Sequence, residues 1–146
     1  MARQGGPAFA PGPPCAMPPQ ARSERLCDDG RPASVPVAMP AVVVHCSCPD
    51  AAIATRIARV LVDERLAACV QAIPAIASTY RWQGEVRTDD EALLLVKTTR
   101  ARLDALKARI TELHPYEVPE LVALEVADGT PAYLAWIEAA TADGAQ

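Results

Sequence analysis

The chain has 146 residues, with 14 basic and 18 acidic side chains and a formal charge of −4 at pH 7. At 51% hydrophobic it can bury a core, yet no stretch reaches the roughly 18 uninterrupted apolar residues a bilayer demands, so a membrane protein is not expected. An isoelectric point near 5.1 without a long basic run argues against nucleic acid as a partner.

Residues 1 to 40 hold nine of the 14 prolines and four of the seven glycines. This leader (GGPAFAPGPP, MPPQ, RPASVPVAMP) has no apolar period to offset the entropy of ordering, and we expect it to be disordered. It contains neither a secretory apolar run nor an arginine-bearing helical face of the transit type. Translation from Met39 or Met17 would make it a start-site artefact, an expectation that a native intact mass including residues 2 to 16 would refute. The domain is then 41 to 146, with 10 basic and 15 acidic groups and a net charge of −5.

Ala41 to Cys48 (AVVVHCSC) reads as a β-branched strand that Pro49 stops, and Asp50 stands where a helix N-cap belongs. From Ala51 to about Leu66, Ile53, Ile57, Val60 and Leu61 form the stripe of an amphipathic helix. Ala68 to Ile73 and Ala75 to Trp82 are strand-like, with Pro74 between them predicting an edge position or a bulge. Gln83-Gly84 is a hairpin turn, and the return strand runs from Glu85 past Asp89, Asp90 and Glu91 to Lys97. Thr99 is placed to cap a second helix (Leu103, Leu106, Ile110, Leu113) that His114-Pro115 ends. Leu121 to Val126 is the fourth strand, Asp128-Gly129 a turn, and Pro131 opens a last helix.

The order βαββαβ plus a terminal helix predicts an α+β, ferredoxin-like sandwich with two helices on one face of an antiparallel sheet. Positions 42 to 44 and 93 to 96 are apolar without alternation, so the other face should also be covered, and a second copy of the chain is the expected cover.

The residues Cys46-Ser-Cys-Pro-Asp50, Leu66-Ala-Ala-Cys-Val70, Tyr80-Arg-Trp-Gln-Gly84, Glu91 with Lys97-Thr98, His114-Pro-Tyr-Glu-Val-Pro-Glu120 and Tyr133-Leu-Ala-Trp136 together resemble the CutA-type divalent-cation tolerance family. The resemblance covers roughly residues 41 to 140 and implies a homotrimer, cytoplasmic in bacteria, linked to copper or another divalent metal ion. Copper ligands proposed within that family fall on Cys46, Leu113 and His114. Leu113 cannot bind a metal, so the chain departs from the pattern, and Cys48 is our candidate substitute. The family also resembles the trimeric PII signalling proteins, which implies a rival role: a sensor or adaptor with a small molecule in its intersubunit clefts and a protein partner reading the result.

Cys46 and Cys48, two apart on a strand, point to one face at a spacing of roughly 6 to 7 Å, and thiolate with imidazole suits Cu(I) or Zn(II). The alternative is two small buried hydrophobes in a reducing compartment, which an odd count of five cysteines without framework spacing also suggests. Cys69 is expected to pack and His45 to face away from the cysteine pair. His114 either caps its helix or opens a binding segment, pinned by Pro115 and Pro119, that presents Tyr116, Glu117 and Glu120. Tyr80, Trp82, Glu91, Lys97 and Tyr116 line an intersubunit cleft for an anionic small molecule, or else form an aromatic interface with a Glu91–Lys97 ion pair. The acidic run 89 to 91 reads most simply as a solvated edge that discourages strand addition. No GxSxG, phosphate-loop or HExxH pattern is present, so an enzyme is not expected.

Overall fold

The computed structural model describes residues 40–143, and the expected leader and alternative start sites fall outside them but for Pro40. The elements are β1 (Ala41–Cys48), α1 (Ala51–Asp63), β2 (Cys69–Trp82), β3 (Glu85–Thr99), a 3-10 turn (Arg100–Arg102), α2 (Leu103–Leu113), β4 (Val122–Glu125) and α3 (Pro131–Thr141). The strands form one antiparallel sheet in the order β2-β3-β1-β4, the ferredoxin-like arrangement expected from the element order. No described helix is long and apolar enough to cross a membrane.

Local chemistry sets the boundaries. The Asp50 carboxylate accepts the backbone N–H of Ile53 at 2.8 Å and starts α1. That helix stops at Asp63, earlier than the apolar pattern suggested. Arg65 takes a left-handed φ of 55°, and the N–H groups of Leu66 and Ala67 both return to the Leu61 carbonyl. Pro74 lies in a register shift between Ile73 and Ile76, and β2 is an edge strand, so both readings of that proline hold. Gln83 and Gly84 both have positive φ, the pattern of a type I′ hairpin turn. Thr99 precedes the 3-10 turn but makes no side-chain cap, contrary to expectation. It is buried, and its hydroxyl meets that of Thr141 near the end of α3.

The pleat sends Val42, Val44, Cys46 and Cys48 of β1, with Ala92, Leu94 and Val96 of β3, into the helix layer. There they pack with Ile57 and Leu61 of α1 and Leu106 and Ile110 of α2, all fully buried. Arg109 of α2 grips the Glu64 carboxylate through two nitrogens, at 2.9 and 2.7 Å, and ties the helices together. On the other face α3 covers one end of the sheet, where Ile137 packs on Ala41 and Ala68. Beyond α3, Val43, His45, Leu93 and Leu95 are half-buried, while Val122 and Leu124 of β4 are exposed. Ladder partners stop at Cys48–Ala92, so residues 76–91 form a two-stranded arm projecting past β1.

Candidate functional site

The end of β1 and the loop after α2 meet at one pocket. Pro49 stops β1 just after Cys48, and Pro115 ends α2 so that His114, extended at φ −80° and ψ 137°, turns back toward the strand. Nitrogen and sulfur atoms of Cys46, Cys48 and His114 all lie within 4.8 Å of one another. Both thiols are fully buried and His114 is 7% exposed.

Hydrogen bonds decide what each group offers. The Tyr116 backbone N–H donates to His114 Nδ1 at 3.1 Å, so the proton of the neutral ring is on Nε2, which donates to the Ser47 carbonyl at 2.8 Å. Both ring nitrogens are therefore engaged. Tyr116 also packs against the imidazole, with ring centroids 4.9 Å apart and the planes tilted by 57°. The thiols are divided: Cys46 holds its proton, its ionisation pushed up by its hydrogen bond to Cys48 and then by burial. Cys48 is lowered to about 7, chiefly by that same bond and, against the cost of burial, by the neighbouring His114. Two sulfurs in an apolar wall suit a soft metal ion, whereas the imidazole has no lone pair free in this arrangement.

Leu113 packs against the same buried cluster as the two cysteines, an apolar contact where the resemblance expects a second imidazole. His45 lies on the opposite face, level with Leu95 and Val122, and Cys69 is half-buried at the start of β2.

The cleft residues separate within one chain. Tyr116 donates its hydroxyl to Glu91 at 3.1 Å, and Tyr80 bonds Asp89. Burial and then the Glu91 bond push Tyr116 up to about 12. Trp82 sits at the exposed arm tip, and Glu117 and Glu120 are exposed in the loop. Lys97 bonds Gln71 and lies six residues along β3 from Glu91, about 20 Å away, so an ion pair between those two within the chain is not formed. A groove of about 390 Å³ between α1 and β2, lined in part by Thr55, Arg59, Asp63 and Val70, shares no residue with the thiol pocket. The sequence reading missed the backbone of Ser47 and Tyr116, because main-chain groups carry no residue-type signal. The proline after His114 was the available hint.

Fold and pocket together define a small ferredoxin-like α+β protein with a buried cluster of two thiols and an imidazole. The family profile described as CutA1 divalent ion tolerance protein matches residues 42–140. The chain is 54% identical over 95 residues to the divalent-cation tolerance protein CutA of Thermus thermophilus, covering 65% of this chain and 92% of that one. Against mouse protein CutA it is 44% identical over 95 residues, 65% of this chain and 54% of that one, so the match spans about half of the mouse protein. Among solved structures, CutA from Xylella fastidiosa superposes with a TM-score of 0.69 at 45% identity, covering 70% of this chain and 98% of that one. CutA1 from rice gives 0.71 at 39% identity, covering 73% and 98%. The chain belongs to the CutA1 divalent ion tolerance family. Its relatives are described in different compartments: a rice protein as chloroplastic and one from Archaeoglobus fulgidus, 26% identical with a TM-score of 0.68, as periplasmic.

Proposed function

We propose that this protein is a cytoplasmic homotrimer that contributes to copper tolerance by binding the ion in the pocket of Cys46, Cys48 and His114. The role is binding and not catalysis. The observation that carries the reading is the convergence of two sulfurs beside an imidazole, all within 4.8 Å and buried, since sulfur donors favour thiophilic metals over magnesium or calcium. Trimer formation is supported by the half-buried Val43, Leu93 and Leu95 with the exposed Val122 and Leu124, an apolar face that a copy of the chain would cover.

The test is competition for copper against a chelator of known strength, on reduced protein whose oligomer size has been measured by light scattering. The expected result is a trimer holding close to one ion per chain at sub-micromolar affinity, with binding lost in the Cys46→Ser/Cys48→Ser double variant. Scattered stoichiometry, or a double variant that binds as well as the parent, refutes the site. A metabolite that raises the melting temperature in the absence of metal would favour the sensor reading, with the converging Tyr80, Glu91 and Tyr116 as the first place to look.

A further inference from the structure

The three donors of the pocket are not equivalent. A ligand needs a free lone pair, and His114 has none: Nδ1 accepts from Tyr116 and Nε2 carries the proton that Ser47 receives. With both nitrogens committed to main-chain partners, the ring offers the two sulfurs no further donor atom. The sulfurs are differently placed. Among the described residues, the Cys46 thiol reaches the main chain only through a long contact of 3.7 Å to the adjacent Ser47 carbonyl. Neither sulfur is held by a disulfide.

Coordination number then selects the ion. A divalent zinc or copper centre needs about four ligands, and no carboxylate joins the described cluster of donors. A closed-shell monovalent ion is satisfied by two sulfurs in line. With metal–sulfur bonds of about 2.3 Å, sulfurs facing each other across one ion stand about 4.6 Å apart. The two sulfurs lie within 4.8 Å of each other, a range that includes this separation.

We propose that Cys46 and Cys48 form a two-sulfur site for Cu(I) or Ag(I), with His114 a positioning residue beside the ion and not a ligand. This rests on the metal-binding reading above and narrows it to a monovalent, thiophilic cation. Loading places one ion between the sulfurs and releases thiol protons to solvent, with no change of oxidation state. His114 keeps its neighbours in place: its bonds to Ser47 and Tyr116 hold the loop after α2 against the end of β1, beside the two sulfurs.

The test uses the full chain, reduced and kept anaerobic, loaded with Cu(I) from a competing chelator, with folding of each variant checked by its melting curve. We expect one Cu(I) per chain, displaced by Ag(I) but not by a hundredfold excess of Zn(II), roughly tenfold steps of affinity being resolved at about 1.4 kcal/mol each. Cys46→Ser and Cys48→Ser should each weaken Cu(I) binding by about 1,000-fold, and His114→Gln, which retains a side-chain N–H, by no more than about tenfold. X-ray absorption on the parent protein should show two sulfur neighbours and no nitrogen, a readout that does not depend on any variant folding. Nitrogen in the first shell, displacement by Zn(II), or a His114→Gln loss equal to that of Cys48→Ser would overturn the two-sulfur assignment while leaving copper binding in the pocket standing. Undiminished binding in the Cys46→Ser/Cys48→Ser double variant would overturn both.

Discussion

The backbone N–H of Tyr116 donates to Nδ1 of His114 at 3.1 Å, and that contact fixes which face of the imidazole the pocket sees. The same ring then donates from Nε2 to Ser47, joining the loop after α2 to the end of β1 across 67 residues of sequence. A histidine that resembles a metal ligand in the sequence is, in the fold, a strut between two segments.

Removing the strut should cost stability. His114→Ala leaves the Ser47 carbonyl and the Tyr116 N–H without their partner in a largely buried site, and we expect a loss of about 2 kcal/mol. Urea unfolding of parent and variant measures it. A difference under about 0.5 kcal/mol, typical of surface changes, would mean that the two bonds contribute nothing net.

Restoring the missing imidazole should change metal preference. Leu113 packs on the buried cluster that contains Cys46 and Cys48 and precedes His114 in the chain, so Leu113→His adds an imidazole at the edge of that cluster. Zn(II) affinity should rise by at least about tenfold, since a further ligand brings the site nearer to four-coordination, while lost packing lowers stability by about 1 to 3 kcal/mol. Chelator competition with Zn(II) gives the first quantity. Unchanged affinity would show that position 113 does not reach the ion.

The phenols should titrate late. Burial and then the hydrogen bond to Glu91 push Tyr116 up to about 12, and the bond to Asp89 raises Tyr80 as well. Because the folded state prefers the protonated phenol, the stabilisation from Tyr116 is fully present below about pH 10 and is lost as pH rises through about 12. Ultraviolet titration should find this group ionising well above an ordinary tyrosine, and Glu91→Gln should bring it down. If Glu91→Gln leaves the titration unchanged, the Tyr116–Glu91 contact is absent in solution.

The hairpin turn offers a test of backbone strain alone. Gly84 has φ 85°, and a Cβ built there meets nothing within 4 Å, so Gly84→Ala adds no clash. We expect a loss of about 1 kcal/mol from the left-handed conformation, measured by thermal unfolding. A much larger loss would point to a contact made by the arm in the assembly.

Much of the fold was legible because its signals are local. Asp50 before an apolar stripe, glycine at the turn after Gln83, and proline after Cys48 and His114 each act within a few residues, and each marks a boundary that the structure places there. Thr99 shows where such reasoning stops. Its type and position suit a cap, yet Thr141 of α3, 42 residues further on, meets its hydroxyl. Likewise Lys97 and Glu91 looked like partners by charge, while strand geometry holds them far apart within one chain and gives each a different neighbour there.

Residue types and their order settle the element sequence, the ferredoxin-like architecture, and the placement of Cys46 and Cys48 on one strand face, because the two-residue pleat and the turn residues follow from chain stereochemistry. The role of His114 is different in kind. Its side chain is free or committed according to two main-chain groups, one two residues away and one on another strand, and only folding brings them within hydrogen-bond distance. Sequence names the donors of a site, whereas tertiary structure decides which lone pairs remain to bind, since a backbone amide can occupy one ring nitrogen while a backbone carbonyl fixes the proton on the other.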